Sequence, residues 1–185
     1  MAIESFGTEQ AARKLRLGMV GGGRGAFIGA VHRMAARLDD KWDIVAGALS
    51  ADPETAKASG ADLGLDPDRA YTSWQDMVKG ESNREDGIDA VSIVTPNHLH
   101  FDVSKAFLEA GINVICDKPM TVTFAESQEL VRIADASGVQ FVLTQNNTGY
   151  PLVRQARAMV ADGTLGDIQV IRTSYVQDWL TTALD

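Results

Sequence analysis

Leu15-Arg16-Leu17-Gly18-Met19-Val20-Gly21-Gly22-Gly23-Arg24-Gly25-Ala26 is the stretch that decides the fold of this chain. A short run with strand character, Leu15 to Val20, feeds directly into a cluster of glycines. Beyond it Phe27, Val31, Met34, Ala35 and Leu38 recur at offsets of 4, 3, 1 and 3. That is helical spacing, with one apolar stripe to lay on a sheet. A second strand is expected from Trp42 to Leu49, so the opening reads strand, glycine turn, helix, strand. Gly21-x-Gly23-x-x-Ala26 has the spacing of a phosphate cradle. The first glycine makes the tight turn, the second lets backbone approach a pyrophosphate, and the small third residue packs helix on strand. Glycines also make ordinary tight turns; the placement between a strand and a helix N-terminus, with its free N–H groups, is what favours the cradle.

The unit then repeats. Pro53 to Leu63 is a helix candidate with proline in its first turn, where a missing N–H costs nothing. Tyr71-Thr72 is expected to form a short strand, and Ser73-Trp74-Gln75-Asp76 to cap another helical turn. Ala90 to Val94 is a strand, His98 to Ala110 a helix stopped by Gly111, and Asn113 to Cys116 the next strand. Thr123-Phe124-Ala125-Glu126 is a capping box for a helix ending at Gly138, and Val139 to Thr144 closes the series. Short apolar strands alternating with helices imply an α/β fold: a doubly wound parallel sheet covered on both faces. Residues 1–144 are thus expected to form a dinucleotide-binding domain. Residues 145–185 are expected to supply a linker, a helix over Leu152 to Ala161, and a strand over Ile168 to Val176 that opens a truncated second domain.

Composition narrows the class. The chain has 185 residues, 45% of them apolar and 23% charged, as in ordinary globular proteins. A net charge of −8 offers no field to attract nucleic acid. The single cysteine, Cys116, can make neither an internal disulfide nor a Cys-rich zinc site. No apolar run is long enough for a bilayer, and Met1 to Arg16 lacks the apolar core of a signal peptide, so a cytoplasmic location is expected. The three histidines, His32, His98 and His100, form no metal-like array with carboxylates, and no metal is expected.

In a doubly wound sheet, ligands sit outside the carboxyl ends of the strands. At the second strand's end, 29 positions after Gly21, Ser50 stands where an acid would accept from the ribose hydroxyls of NAD. Asp52 lies two residues on and Lys57 one to two helical turns away. A neutral serine with a nearby cation tolerates a 2′-phosphate, so the expected cofactor is NAD or NADP, the choice left open. Thr95-Pro96-Asn97-His98-Leu99-His100 would lie beside the nicotinamide half, and Asp117-Lys118-Pro119 presents a lysine on a chain stiffened by proline. Such a lysine can donate to a substrate hydroxyl and stabilise alkoxide character during hydride transfer.

These features, with Gly29-Ala30-Val31-His32, Arg154-Gln155-Ala156-Arg157, Gly163-x-Leu165-Gly166 and Tyr175-x-Gln177-Asp178-Trp179, resemble the Gfo/Idh/MocA family. This is the group of glucose–fructose oxidoreductase, inositol 2-dehydrogenase and the rhizopine-catabolism enzyme, and the resemblance runs from Leu15 onward. It implies a Rossmann domain followed by a mainly β substrate domain, and hydride transfer between NAD(P) and a hydroxyl or carbonyl of a sugar or cyclitol. It places Lys118 in the catalytic lysine position of the family's Glu-Lys-Pro motif, with Asp117 replacing the usual Glu. It places Gly21, Gly23, Ala26, Thr95, Asn97 and His100 around the cofactor, beside Ser50 and Asp117. The family's later Asp-x-x-x-His pair has no counterpart: neither Asp178 nor Asp185 is followed by histidine four residues on. The chain alone is therefore expected to bind cofactor better than it turns over, and the full-length form to be a homo-oligomer.

Plainer readings stand beside these. His32 on its helix reads as a packed histidine, Cys116 as a small buried strand residue, and Trp42 and Trp74 as core or core-edge. Trp179 paves a substrate site only in company with a second domain. The alternative to an oxidoreductase part is a non-catalytic dinucleotide-binding sensor or assembly module, since fold does not fix function.

Overall fold

The structure, a computed structural model, describes residues 13–176, 178 and 181. Gln177, Trp179 and Asp185, all named above, lie outside them. The chain divides into two units after Thr144. In the first, β1 (Leu15–Gly21), β2 (Trp42–Ala48), β3 (Ala90–Val94), β4 (Asn113–Cys116) and β5 (Phe141–Leu143) form one sheet in the order β2-β1-β3-β4-β5. Every neighbouring pair is parallel. The connecting helices are α1 (Phe27–Leu38), α2 (Pro53–Asp62), α3 (Trp74–Ser82), α4 (His100–Glu109) and α5 (Phe124–Ser137). The chain leaves β1 for β2 on one side and returns across β1 to β3 on the other. Right-handed crossovers then put α1 on one face and α3, α4 and α5 on the opposite one. The reversal between β1 and β3 opens a crevice at their carboxyl ends, where such sheets bind ligands.

Local chemistry sets the helix ends. Asp52, Ser73 and Thr123 each accept a backbone N–H three residues on, capping α2, α3 and α5. The Thr123–Glu126 capping box forms in both directions, and Gly138 ends α5 at φ 72°. The core forms where Val91, Ile93, Val114 and Cys116 of the strands meet Val103 and Phe107 of α4 and Leu130 of α5, all buried. A side chain such as Phe107 contributes on the order of 2–3 kcal/mol by leaving water.

Three expectations are corrected. The apolar stripe of α1 does not lie on the sheet: Phe27, Met34 and Leu38 are 82%, 66% and 78% exposed. The helix instead turns Gly29 inward, against the backbone of Gly22, where any Cβ would overlap. The closest backbone approach chooses the buried face, and only glycine permits it. Tyr71-Thr72 is not a strand; a single bridge pairs Gly47 with Ala70, and the Tyr71 N–H donates to the Gly47 carbonyl at 2.8 Å. Ile168 to Val176 carries no strand, since a strand is defined by a neighbour and none is present for it among the described residues. The second unit holds α6 (Pro151–Ala161), preceded by a 3-10 turn at Asn146–Gly149. Among the described residues no helix is long and apolar enough to cross a membrane.

Candidate functional site

The glycine loop is wedged between walls that each exclude a side chain. Gly21 has φ 81°, and a Cβ there would stand 2.9 Å from the Val94 carbonyl oxygen at the end of β3. A Cβ on Gly22 would meet α1 at Gly29 and the Val94 side chain. On Gly23 it would lie 2.6 Å from both the Leu49 carbonyl oxygen and Ser59 Oγ. Backbone hydrogen bonds hold this position. The Gly23 N–H donates to Leu49 at 3.0 Å, and the Arg24 N–H donates at 3.0 Å to Ser59 Oγ, which itself donates to the Thr55 carbonyl at 2.7 Å. The Arg33 guanidinium on α1 donates to the Gly22 carbonyl at 2.6 Å. Ala26 caps α1 with no side-chain acceptor and no acid follows in the first turn, so the positive end of that helix stays open to an anion.

The loop forms one wall of a cleft of about 540 Å³. Gly21, Gly23, Ala26, Ser50 and Thr95 all line it, with Thr72 to Gln75 and Leu99 opposite. The structure thus brings five of the expected cofactor residues into one cavity. The sequence pattern assigns Thr72 to Gln75 to a strand end and a helix cap, not to the site; the bridge of Gly47 to Ala70 is what brings them beside the cleft.

Ser50 Oγ accepts from the Asp52 N–H at 3.2 Å, so the hydroxyl keeps its own proton free to donate. The Asp52 carboxylate is committed to Thr55, taking its hydroxyl at 2.6 Å and its N–H at 2.7 Å, and these bonds pull its pKa below the usual carboxylate range. It does not line the cleft. Arg24 does, with its guanidinium in a bidentate, exposed pair with Asp62 at 2.6 and 2.7 Å. Lys57 is exposed on α2. Thr95 lines the cleft, and its Oγ1 is buried with no hydrogen-bond partner among the described residues.

The remaining expected residues lie outside this cavity. Asn97 is exposed on a 3-10 turn at Asn97–Leu99. His100 is 1% exposed beneath the edge, with Nδ1 2.6 Å from the Pro119 carbonyl oxygen and Nε2 3.0 Å from that of Thr95. In either tautomer the ring donates to one of these two carbonyls and lies against the other, and so spans the end of β3 and the turn after Lys118. The Asp117 carboxylate turns toward α1 and β5: Oδ1 accepts from Thr144 Oγ1 at 2.8 Å and stands 3.8 Å from His32 Nε2. Lys118 is exposed, and no ion pair engages its ammonium among the described residues. Cys116 is fully buried, and burial pushes its thiol up to about 11. Among the described residues no group of three or more His, Cys, Asp or Glu is placed to hold a metal ion.

The open helix end and the loop that excludes side chains at Gly21, Gly22 and Gly23 fit a dinucleotide. Residues 15–146 match a family model described as the oxidoreductase family with NAD-binding Rossmann fold. The chain is 41% identical over 172 residues to an uncharacterised oxidoreductase, YfiI, of Bacillus subtilis, covering 92% of this chain and 44% of that one. Its structure is similar to that of an oxidoreductase from Sinorhizobium meliloti, at 58% identity and TM-score 0.79, covering 83% of this chain and 43% of the other. It is similar also to an inositol dehydrogenase homologue from Azotobacter vinelandii solved with NAD⁺ and with NADH and myo-inositol, at 44% identity and TM-score 0.82. There 86% of this chain is covered, and 41–42% of the other. The chain thus spans less than half the length of these relatives, on the side that carries the nucleotide-binding fold. It belongs to the Gfo/Idh/MocA family of oxidoreductases.

Proposed function

We propose that this chain is the nicotinamide-nucleotide-binding part of an oxidoreductase that moves hydride between NAD(P) and a hydroxyl or carbonyl of a sugar or cyclitol. The observation that carries the reading is the glycine loop, closed to side chains at Gly21, Gly22 and Gly23, forming one wall of a cleft that Ser50 and Thr95 also line. The backbone N–H groups of the loop and of the first turn of α1 hold the pyrophosphate. The Ser50 hydroxyl donates to the adenosine ribose, and its neutrality accepts either a hydroxyl or a 2′-phosphate there. Thr95 satisfies its hydroxyl on the nicotinamide end, with Asn97 at the rim. His100 supports that end from beneath, holding Thr95 and Pro119 in register. The cofactor, when bound, supplies the hydride acceptor or donor.

Lys118 is the residue placed for chemistry on the substrate. Its ammonium is exposed and unengaged by any described carboxylate, so it is free to donate to the reacting oxygen and stabilise alkoxide character. A substrate-binding part, opened by residues 145–185, completes the site, and self-association belongs to that complete form. Two titrations test the reading. Excitation of Trp74 on the cleft wall reports NADH and NADPH binding to this chain; absence of affinity for both sinks it. Lys118→Ala is expected to keep NADH affinity within about twofold, because it adds no cofactor contact. In a form extended by the remaining half that the relatives carry, the same change abolishes turnover; retained turnover refutes the assignment.

A further inference from the structure

We propose that His32 is a positioning residue: it fixes the turn that carries Lys118 by way of Asp117, and so couples α1 to the nicotinamide end of the cleft. The inference rests on the dinucleotide-binding reading above. Ser92 interrupts an otherwise apolar strand, Ala90-Val91-Ser92-Ile93-Val94, yet is 1% exposed. A buried hydroxyl in such a place needs a partner. It finds His32 across the interface with α1, Oγ to Nδ1 at 2.8 Å. The other ring nitrogen faces Asp117 Oδ1 at 3.8 Å, and that same oxygen accepts from Thr144 Oγ1 at 2.8 Å. The side chains of His32 and Asp117 are only 12% and 14% exposed. Four residues from β3, α1 and the ends of β4 and β5 therefore form one polar chain beneath the carboxyl edge.

The chemistry of the chain is directional. A carboxylate facing Nε2 favours the tautomer with its proton there, so Ser92 donates to Nδ1. Burial lowers the basicity of His32, against a smaller opposing pull from Asp117, which keeps the ring neutral near pH 7. Asp117 is the charged group that bears on it; Ser92 and Thr144, from β3 and β5, are neutral. Serine, histidine and aspartate in line resemble a nucleophile's relay, but Ser92 is sealed in mid-strand where no substrate reaches it. What the chain can do is hold. The Asp117 N–H continues the ladder by donating to Ile93 at 2.9 Å, while its carboxylate is anchored on the α1 side. Successive residues of an extended chain point to opposite faces, so this anchor sends Lys118 the other way.

The test compares two ligands on the 185-residue chain. ADP-ribose carries the adenosine and pyrophosphate of the cofactor but no nicotinamide. His32→Ala releases the Asp117 anchor, so the backbone of the turn shifts at the nicotinamide end; it is expected to weaken NADH by about tenfold and to leave ADP-ribose within about twofold. His32→Gln, whose amide N–H can reach Asp117, is expected to recover most of the NADH affinity. Equal weakening of both ligands, or of neither, overturns the proposal. A native chain that binds none of NADH, NADPH and ADP-ribose removes the dinucleotide reading itself. The contact is judged without any cofactor by NMR titration of the His32 ring. Asp117→Asn must lower its midpoint, and an unchanged midpoint overturns the coupling.

Discussion

Replacing Gly23 with alanine tests whether the loop is held by its walls. The new Cβ would sit 2.6 Å from the Leu49 carbonyl oxygen, a backbone atom directly after the end of β2 that cannot rotate aside as a side chain can. Carbon and oxygen rest without repulsion at about 3.3 Å, so the loop must retreat by about 0.7 Å. Ser59 Oγ, also at 2.6 Å, can rotate, but only by giving up the Arg24 N–H and the Thr55 carbonyl. The retreat also stretches the Gly23-to-Leu49 hydrogen bond, now 3.0 Å. The two hydrogen bonds of Ser59, at about 1 kcal/mol each, give a loss of about 2 kcal/mol in stability. For a domain of this size that lowers Tm by about 4–8 °C. The effect on binding is larger. Two charge-assisted phosphate contacts at about 1.5 kcal/mol each amount to roughly a hundredfold in Kd for NADH.

Gly25→Ala is the matched control. Gly25 has φ 78°, and a Cβ there meets nothing within 4 Å. It therefore costs about 1–2 kcal/mol of left-handed backbone strain while displacing no wall. Thermal unfolding by circular dichroism reads stability, and energy transfer from Trp74 to NADH reads affinity. Gly23→Ala should lose at least ten times more affinity than Gly25→Ala at similar cost in Tm. Native affinity in Gly23→Ala, or equal losses in the two variants, would refute the wedge argument.

Other outcomes follow from the same geometry. Glu81 is fully buried, with Arg69, the Tyr71 hydroxyl at 2.9 Å and the Ile88 N–H at 3.1 Å on its two oxygens; Glu81→Ala leaves the buried Arg69 guanidinium only Asp86, its carboxylate at 3.6 Å, and should cost about 3 kcal/mol in urea unfolding. An unchanged urea midpoint contradicts that. The same burial, with Glu81 as neighbour, pushes the Tyr71 phenol up to about 12, so alkaline absorbance titration should find it ionising late. The Arg13 guanidinium and the Arg16 N–H hold Asp89 down to about 2. Because the folded pKa lies below the unfolded one, this stabilisation is complete above about pH 4 and fades as pH falls toward 2. Asp89→Asn should cost about 1 kcal/mol at pH 7, Arg13 being half exposed, and the gap to the native chain should close in acid. Cys116 should react with a thiol reagent only after denaturation; rapid labelling of the folded chain shows the strand opening locally.

The parts of the fold that were legible are those where one residue type has one physical task. Thr123 and Glu126 form the capping box that their spacing predicts, and Gly138 takes the left-handed conformation. Gly21 does so as well, at the turn its motif requires. The outward stripe of α1 was not legible, because periodicity identifies a helix but not which face another backbone will approach. Gly29 decides that face through a contact with Gly22 that no spacing rule encodes. Ile168 to Val176 has β-branched composition, yet strand structure is a property of pairs.

The candidate site divides along the same line. Gly21, Gly23, Ala26, Ser50 and Thr95 could be placed in one cleft because each stands at a strand end or in the loop leaving β1. His100 and Asp117 were recognisable as special without their direction being so. His100 faces two carbonyls under the edge, and Asp117 faces α1. Their partners, Pro119, His32 and Thr144, are 19, 85 and 27 residues away in sequence. One signal was available: Ser92, a hydroxyl inside an apolar strand, implies a buried acceptor or donor opposite. The cleft is assembled from the first three strands, whereas the lysine turn hangs from the fourth. Cofactor and reacting oxygen must meet at a fixed distance, and so a connection between those halves is required. His100 supplies one through the backbone and the His32–Asp117 chain a second through side chains. That is why losing either should harm the nicotinamide end before it harms the phosphate end.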